Sequence, residues 1–196
     1  MLGRIIVASL VGFAALVAVQ ATVLAADAPH VAPMKEFAAK TVKGWTAEPV
    51  LVDAIKAQNA KTAGYDQAKI DALDKQWRAE TSAAAKPLID SVMGNALSKW
   101  LSGVKEQQGG LVTEIFVMDD KGLNVGQSDV TSDYWQGDEA KYQKTFAVGP
   151  DAVFVDDVEK DESTQMFQSQ VSMTVVDPAS GKPIGAITVG VNVDAL

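Results

Sequence analysis

One histidine and no cysteine among 196 residues leave little of the usual apparatus of catalysis. A Ser-His-Asp triad, a Cys-His pair and a zinc site each need residues that are missing or stranded, since His30 lies in a short Ala/Pro stretch and reads as solvated. Adjacent carboxylates such as Asp119-Asp120 and Asp156-Asp157 face opposite ways in a strand, so they do not converge on a substrate as an acid/base pair would. The acidic run Asp156, Asp157, Glu159, Asp161 and Glu162 offers oxygen ligands for Ca²⁺ or Mg²⁺. Its spacing is not that of an EF-hand loop, and it reads as a solvated edge loop. No catalytic residues and no cofactor are expected; the chain reads as a binder and not as an enzyme.

The residues suited to binding cluster between Ser132 and Phe146. Tyr134, Trp135 and Tyr142 supply aromatic walls, with Asp133, Gln136, Asp138 and Lys141 beside them, and small-molecule sites have this make-up of apolar walls with a few convergent polar groups. Lys141 suits a ligand carboxylate. If 138–146 is helical, Asp138 caps it. Phe154, Phe167, Ser169, Gln168 and Gln170 are further possible walls, although a slip of one residue in register would turn each to the other face. The competing structural role is packing of Trp135 on a sheet, with the charges facing water.

Elements to carry this segment lie on both sides of it. Upstream the pattern is helical from Pro33 to about Lys105. Pro49 opens a helix with Leu51, Ala54 and Ile55 on one face, Gly64 ends it, and Asp66 caps the next, whose stripe is Ile70, Leu73 and Trp77. Leu88, Val92, Ala96 and Trp100 repeat every fourth residue beside Ile89, Met93, Leu97, Leu101 and Val104. That spacing predicts one helix of about 17 residues, roughly 25 Å long, stopped by Gly109-Gly110. Trp45, Trp77 and Trp100 read as packing anchors.

Strands begin at Leu111. Leu111–Met118 and Leu123–Gln127 flank a tight turn at Asp119–Gly122; Ala152–Val155, Met166–Val176 and Ile184–Val193 follow the insert, the last two joined by a loop at Asp177–Lys182. In the last two strands one face is apolar and the other small or polar. The apolar face can lie on the long helix, which leaves the other wet or roofed by the insert around a cavity.

Length and composition fit one core-bearing domain, with 47% hydrophobic residues. Residues 1 to about 26 read as a secretory signal: Arg4 is its only charge, Ile5–Val23 is almost unbroken apolar sequence, and Val23-Leu-Ala-Ala26 offers small residues for cleavage. An uncleaved membrane anchor is the alternative, because the run approaches a spanning length. Residues 27–34 form a linker, 35–110 the helical segment and 111–196 the sheet with its insert at 132–146, the last two making one domain. Without Arg4, 16 basic side chains remain against 25 acidic ones. No basic cluster interrupts the chain, which excludes nucleic acid and anionic lipid as partners. A cysteine-free exported protein suits a bacterial periplasm.

An exported N-terminus, a long helix leading into a hairpin, a helical insert and three further strands resemble the Cache family of extracytoplasmic sensor domains, in its single-Cache, PAS-like form. The likeness covers about residues 35–196. It rests most on Val117-Met-Asp-Asp-Lys-Gly122, Asp133-Tyr-Trp-Gln-Gly-Asp138 and Gly185-Ala-Ile-Thr-Val-Gly-Val-Asn-Val193. The resemblance implies an α+β fold with long N-terminal helices on a five-stranded antiparallel sheet of order 2-1-5-4-3. It also implies a small-molecule pocket between sheet and insert, and a signalling partner such as a histidine kinase or chemoreceptor. Members within receptors continue into a membrane helix, whereas this sequence ends at Leu196, so action in trans is expected. A structural module or accessory subunit, for example a homodimer through the long helices, is the alternative.

Overall fold

The computed structural model describes residues 28–160 and 167–196. The expected leader, and Asp161 and Glu162 of the acidic run, lie outside the described residues. Helix α1, Val31–Phe37, passes through a π-helical turn at Ala38–Val42 into the short α2, Lys43–Trp45. It starts inside the stretch expected to be linker. Pro33 permits this because it is the third helical residue, where a backbone N–H has no intrahelical partner to lose; the first intrahelical bond is donated by Met34 to His30.

Helix α3, Pro49–Thr62, turns Leu51, Val52 and Ile55 inward. Helix α4, Gln67–Glu80, has the expected cap, the Asp66 carboxylate accepting from the Lys69 N–H at 2.9 Å. The long third helix is instead two, α5 (Pro87–Met93) and α6 (Ala96–Gln107). Asn95 causes the break: its side-chain oxygen accepts from the Ser98 N–H at 2.8 Å while its amide donates to the Val125 carbonyl at 2.8 Å. A cap of that kind offers the backbone an alternative to continuing the helix, and Gly94 resists it little. As a result α5 and α6 serve different clusters. α6 gives Leu97, Leu101 and Val104 to the main core, and α5 gives Ile89 and Val92 to a second group around Trp77 and Tyr134. Gly109 and Gly110, at φ 59° and 91°, end α6 as expected.

The strands are β1 (Val112–Met118), β2 (Asn124–Gln127), β3 (Val153–Val155), the two-residue β4 (Glu159–Lys160), β5 (Phe167–Val176) and β6 (Pro183–Asn192). All pairings are antiparallel in the order β2-β1-β6-β5-β3, with β4 beside the start of β5. With β4 set aside, this is the order 2-1-5-4-3. The fold is α+β, helices covering one face of an open antiparallel sheet. Ile115, Val117, Val171, Val175, Ile187, Val189 and Val191 pack against Met34, Leu51, Ile55, Leu97 and Leu101. Strand alternation sends their neighbours to the opposite face, beneath the insert.

Candidate functional site

Cross-strand register lays out that opposite face in rows. Phe116, Thr188, Ser172 and Phe154 stand abreast across β1, β6, β5 and β3, with the Ser172 and Thr188 hydroxyls 2.9 Å apart. In the next row Gly190 stands between Glu114 and Gln170. Because position 190 has no side chain, Gln170 Nε2 reaches across to donate to Glu114 Oε1 at 2.8 Å. The face is thus low in the middle, with aromatic rings at both sides. Burial pushes the Glu114 carboxyl up, against the Gln170 hydrogen bond and the Lys141 ammonium.

The insert crosses this face in two parts. Its first part, 131–137, is fastened to helix α4 and to the β1–β2 hairpin. Asp74 Oδ1 accepts from the N–H groups of Tyr134 and Trp135 at 2.9 and 3.0 Å, and Arg78 links Asp74 to Asp133 at 2.7 and 3.2 Å. Trp77 stacks on Tyr134 with ring centroids 5.3 Å apart and donates its indole N–H to the Thr131 carbonyl. Trp135 donates its own to the Lys121 carbonyl at 2.8 Å, and Gln136 is buried with its amide on Asp133. Asn124, also buried, donates to the Asp133 carbonyl.

The second part lies over the sheet. Its helix α7, Ala140–Gln143, is shorter than the expected 138–146, and Glu139 instead of Asp138 stands at its start, without a side-chain cap. Lys141 Nζ lies 5.3 Å from the Phe116 ring centroid and 2.8 Å from the Glu139 carboxylate. Tyr142 stacks on Phe146 and donates its hydroxyl to the Asp120 carbonyl at 2.7 Å, while Lys144 stands 4.2 Å over Phe154.

Between this part and the strand edge is a polar hollow of about 180 Å³, lined by Glu139, Lys141, Asp156, Asp157, Glu159 and residues 168–170. Lys141 and Ser169 are in its lining. Tyr142 and Phe154 are not in that lining: Tyr142 stacks on Phe146 against Phe116 and Met118, and Phe154 lies under Lys144. Asp133, Tyr134, Trp135 and Gln136 are committed to the fastening, and Phe167, 46% exposed, pairs with Lys160 at the start of β5. Glu114 and Glu139 were not anticipated. A lone charge at Glu114, in phase with Phe116 and Met118 along an apolar strand, is the signal that would have found the first. His30 is also half-buried where solvation was expected: its Nε2 donates to the Asp156 carbonyl at 2.9 Å, the carbonyl that Ser169 also reaches at 2.8 Å. Among the described residues no three His, Asp or Glu side chains converge to hold a metal ion.

The chain is thus an α+β fold with helices on one face of a five-stranded antiparallel sheet and a polar hollow on the other. Solved structures similar to it include sensor and ligand-binding domains of other proteins. The sensor domain of the V. cholerae histidine kinase DctB is 12% identical with a TM-score of 0.44, over 85% of this chain and 54% of that one. The ligand-binding domain of the Campylobacter jejuni chemoreceptor Tlp3, in complex with 4-methylisoleucine, is 12% identical with a TM-score of 0.38, over 80% and 62%. That of the Pseudomonas aeruginosa amino acid chemoreceptor PctC, in complex with GABA, is 12% identical with a TM-score of 0.35, over 64% and 61%. The chain therefore spans between about half and three fifths of these structures. No family model and no curated protein matches the sequence.

Proposed function

We propose that the chain is an exported, periplasmic sensor domain that binds a small polar metabolite in the hollow beneath α7 and acts in trans on a histidine kinase or chemoreceptor. The observation that carries this is the Lys141 side chain, 14% exposed, paired with Glu139 in the lining of a hollow to which the sheet contributes Gln170, itself bonded to Glu114. Charged and amide groups converging at one depression favour a ligand with groups of both signs, its carboxylate on Lys141 and a donor toward Glu139 or Asp156. About 180 Å³ is below the roughly 300–1,000 Å³ of drug-sized sites. That favours a compact molecule of amino-acid size. Export rests on residues 1 to about 26 acting as a cleaved leader; among the described residues no helix is long and apolar enough to cross a membrane.

Thermal denaturation against a panel of amino acids and small organic acids tests the proposal. A ligand at 100 times its Kd adds about 2.7 kcal/mol to stability. That gain should vanish in Lys141→Met. A panel without a stabilising member, or an undiminished gain in Lys141→Met, overturns it. A second reading, a homodimer through the helical layer, draws on the groove between α3 and α6, about 500 Å³, where Val50, Ala54, Ala57, Ala96 and Leu97 form a small-residue wall. Sedimentation at micromolar concentration would show the dimer, and Ala57→Lys should dissociate it.

A further inference from the structure

A second cavity, sharing no lining residue with the hollow, lies on the helix-covered side of the sheet. It is a groove of about 640 Å³ where the α1–π-turn–α2 segment passes the edge strand β3. Lys35, Ala39 and Lys43 form one wall; Val153, Met173 and Val176 are opposite. The π-helical turn sets the lysine spacing. An α-helix overshoots a full turn every four residues, whereas the wider π turn falls short of one over the same number, so the two drifts oppose each other. Lys35, Ala39 and Lys43 therefore stay in line, the lysines roughly 12 Å apart along the axis with a small residue between them. π turns of this kind recur at functional sites.

The other wall is apolar where an edge strand would ordinarily carry charge to discourage pairing. Val153 is 38% exposed, paired in register with Met173. The protein as a whole is acidic, with a formal net charge of −8, yet among the described residues this lining carries Lys35 and Lys43 beside Asp151. We infer that the groove is a second binding site, for an elongated organic anion whose apolar body lies along Val153 and Met173 and whose acidic group is held by the lysine wall. The volume falls within the usual range for small-molecule sites. A neutral chain would gain the apolar contact and lose the charge-assisted hydrogen bond.

The test uses the full chain, with decanoate as the probe and decanol as its neutral counterpart, followed by methyl NMR and calorimetry. Decanoate should shift the methyl signals of Val153 and Met173. It should bind at least tenfold more tightly than decanol, and the Lys35→Gln/Lys43→Gln double variant should remove that difference. Ala39→Phe, which fills the exposed middle of the groove, should abolish binding without unfolding the chain, while Lys141→Met should leave it unchanged. Equal affinity for decanol, unaltered binding in the double variant, or methyl shifts confined to other regions overturn the proposal, whatever becomes of the hollow.

Discussion

Gln170 donates a 2.8 Å hydrogen bond to Glu114 across Gly190, so two side chains from strands that are not neighbours meet over the strand between them. Burial raises the Glu114 carboxyl above its ordinary range, so the native state holds a proton that the unfolded chain has already released. Stability must then fall as pH rises from the ordinary glutamate range through the raised value. Glu114→Gln cannot titrate and retains an oxygen for Gln170. Its melting temperature should match the parent's at acid pH and exceed it at neutral pH, measured from pH 3 to 8 in the absence of ligand.

Asp119 is fully buried at the turn between β1 and β2, and four donors converge on it. They are the N–H groups of Lys121 and Leu123, both at 2.9 Å, the Thr62 hydroxyl at 3.0 Å and the Gln58 amide at 3.2 Å. Asp119→Ala would strand several of these without water. Such losses cost about 2–4 kcal/mol in total, readable as a lower urea midpoint with an unchanged m-value.

Features decided by nearby residues were legible in the sequence. The Asp66 cap, the Gly109-Gly110 stop and the two-faced alternation of β5 and β6 depend on chemistry within a few positions; the strand order was not readable from the residues and came only from the family resemblance. The break at Asn95 was not legible, because apolar spacing runs through it and the Asn95 amide is held by the Val125 carbonyl, 30 residues away. The aromatic insert misled for a related reason. Tyr and Trp suit a pocket wall and a structural clamp equally well, and what separates the two roles at Tyr134 and Trp135 is Asp74, 60 residues upstream. The sequence singled out Lys141 by residue type and gave no sign of its ion pair with Glu139.

That clamp predicts a local effect. Asp74→Ala removes the acceptor shared by two backbone N–H groups and leaves Arg78 with Asp133 alone. The turn at 131–137 should open more readily, with amide exchange at Tyr134 and Trp135 accelerated roughly tenfold for a loss of about 1.4 kcal/mol. Amides in β5 and β6 should keep their protection if the loss is confined to the insert.

Gly190 sets the depth of the sheet face under α7. A Cβ there would lie 2.8 Å from Glu114 Cγ and 3.3 Å from its carboxylate oxygen, and would also press on the Thr113 hydroxyl. All three belong to β1, which is hydrogen-bonded to β6, so the backbone cannot withdraw and Glu114 must turn aside. Gly190→Ala should therefore cost about 1–3 kcal/mol as overpacking does, and it should separate Glu114 from Gln170. A freed Glu114 that reaches water loses its reason to hold a proton. The variant should then show a flatter dependence of melting temperature on pH than the parent, together with weakened metabolite binding in the hollow. A variant that is destabilised but keeps the parent's pH dependence would mean that Glu114 stays buried without its partner, and the pairing across Gly190 would not be what holds it there.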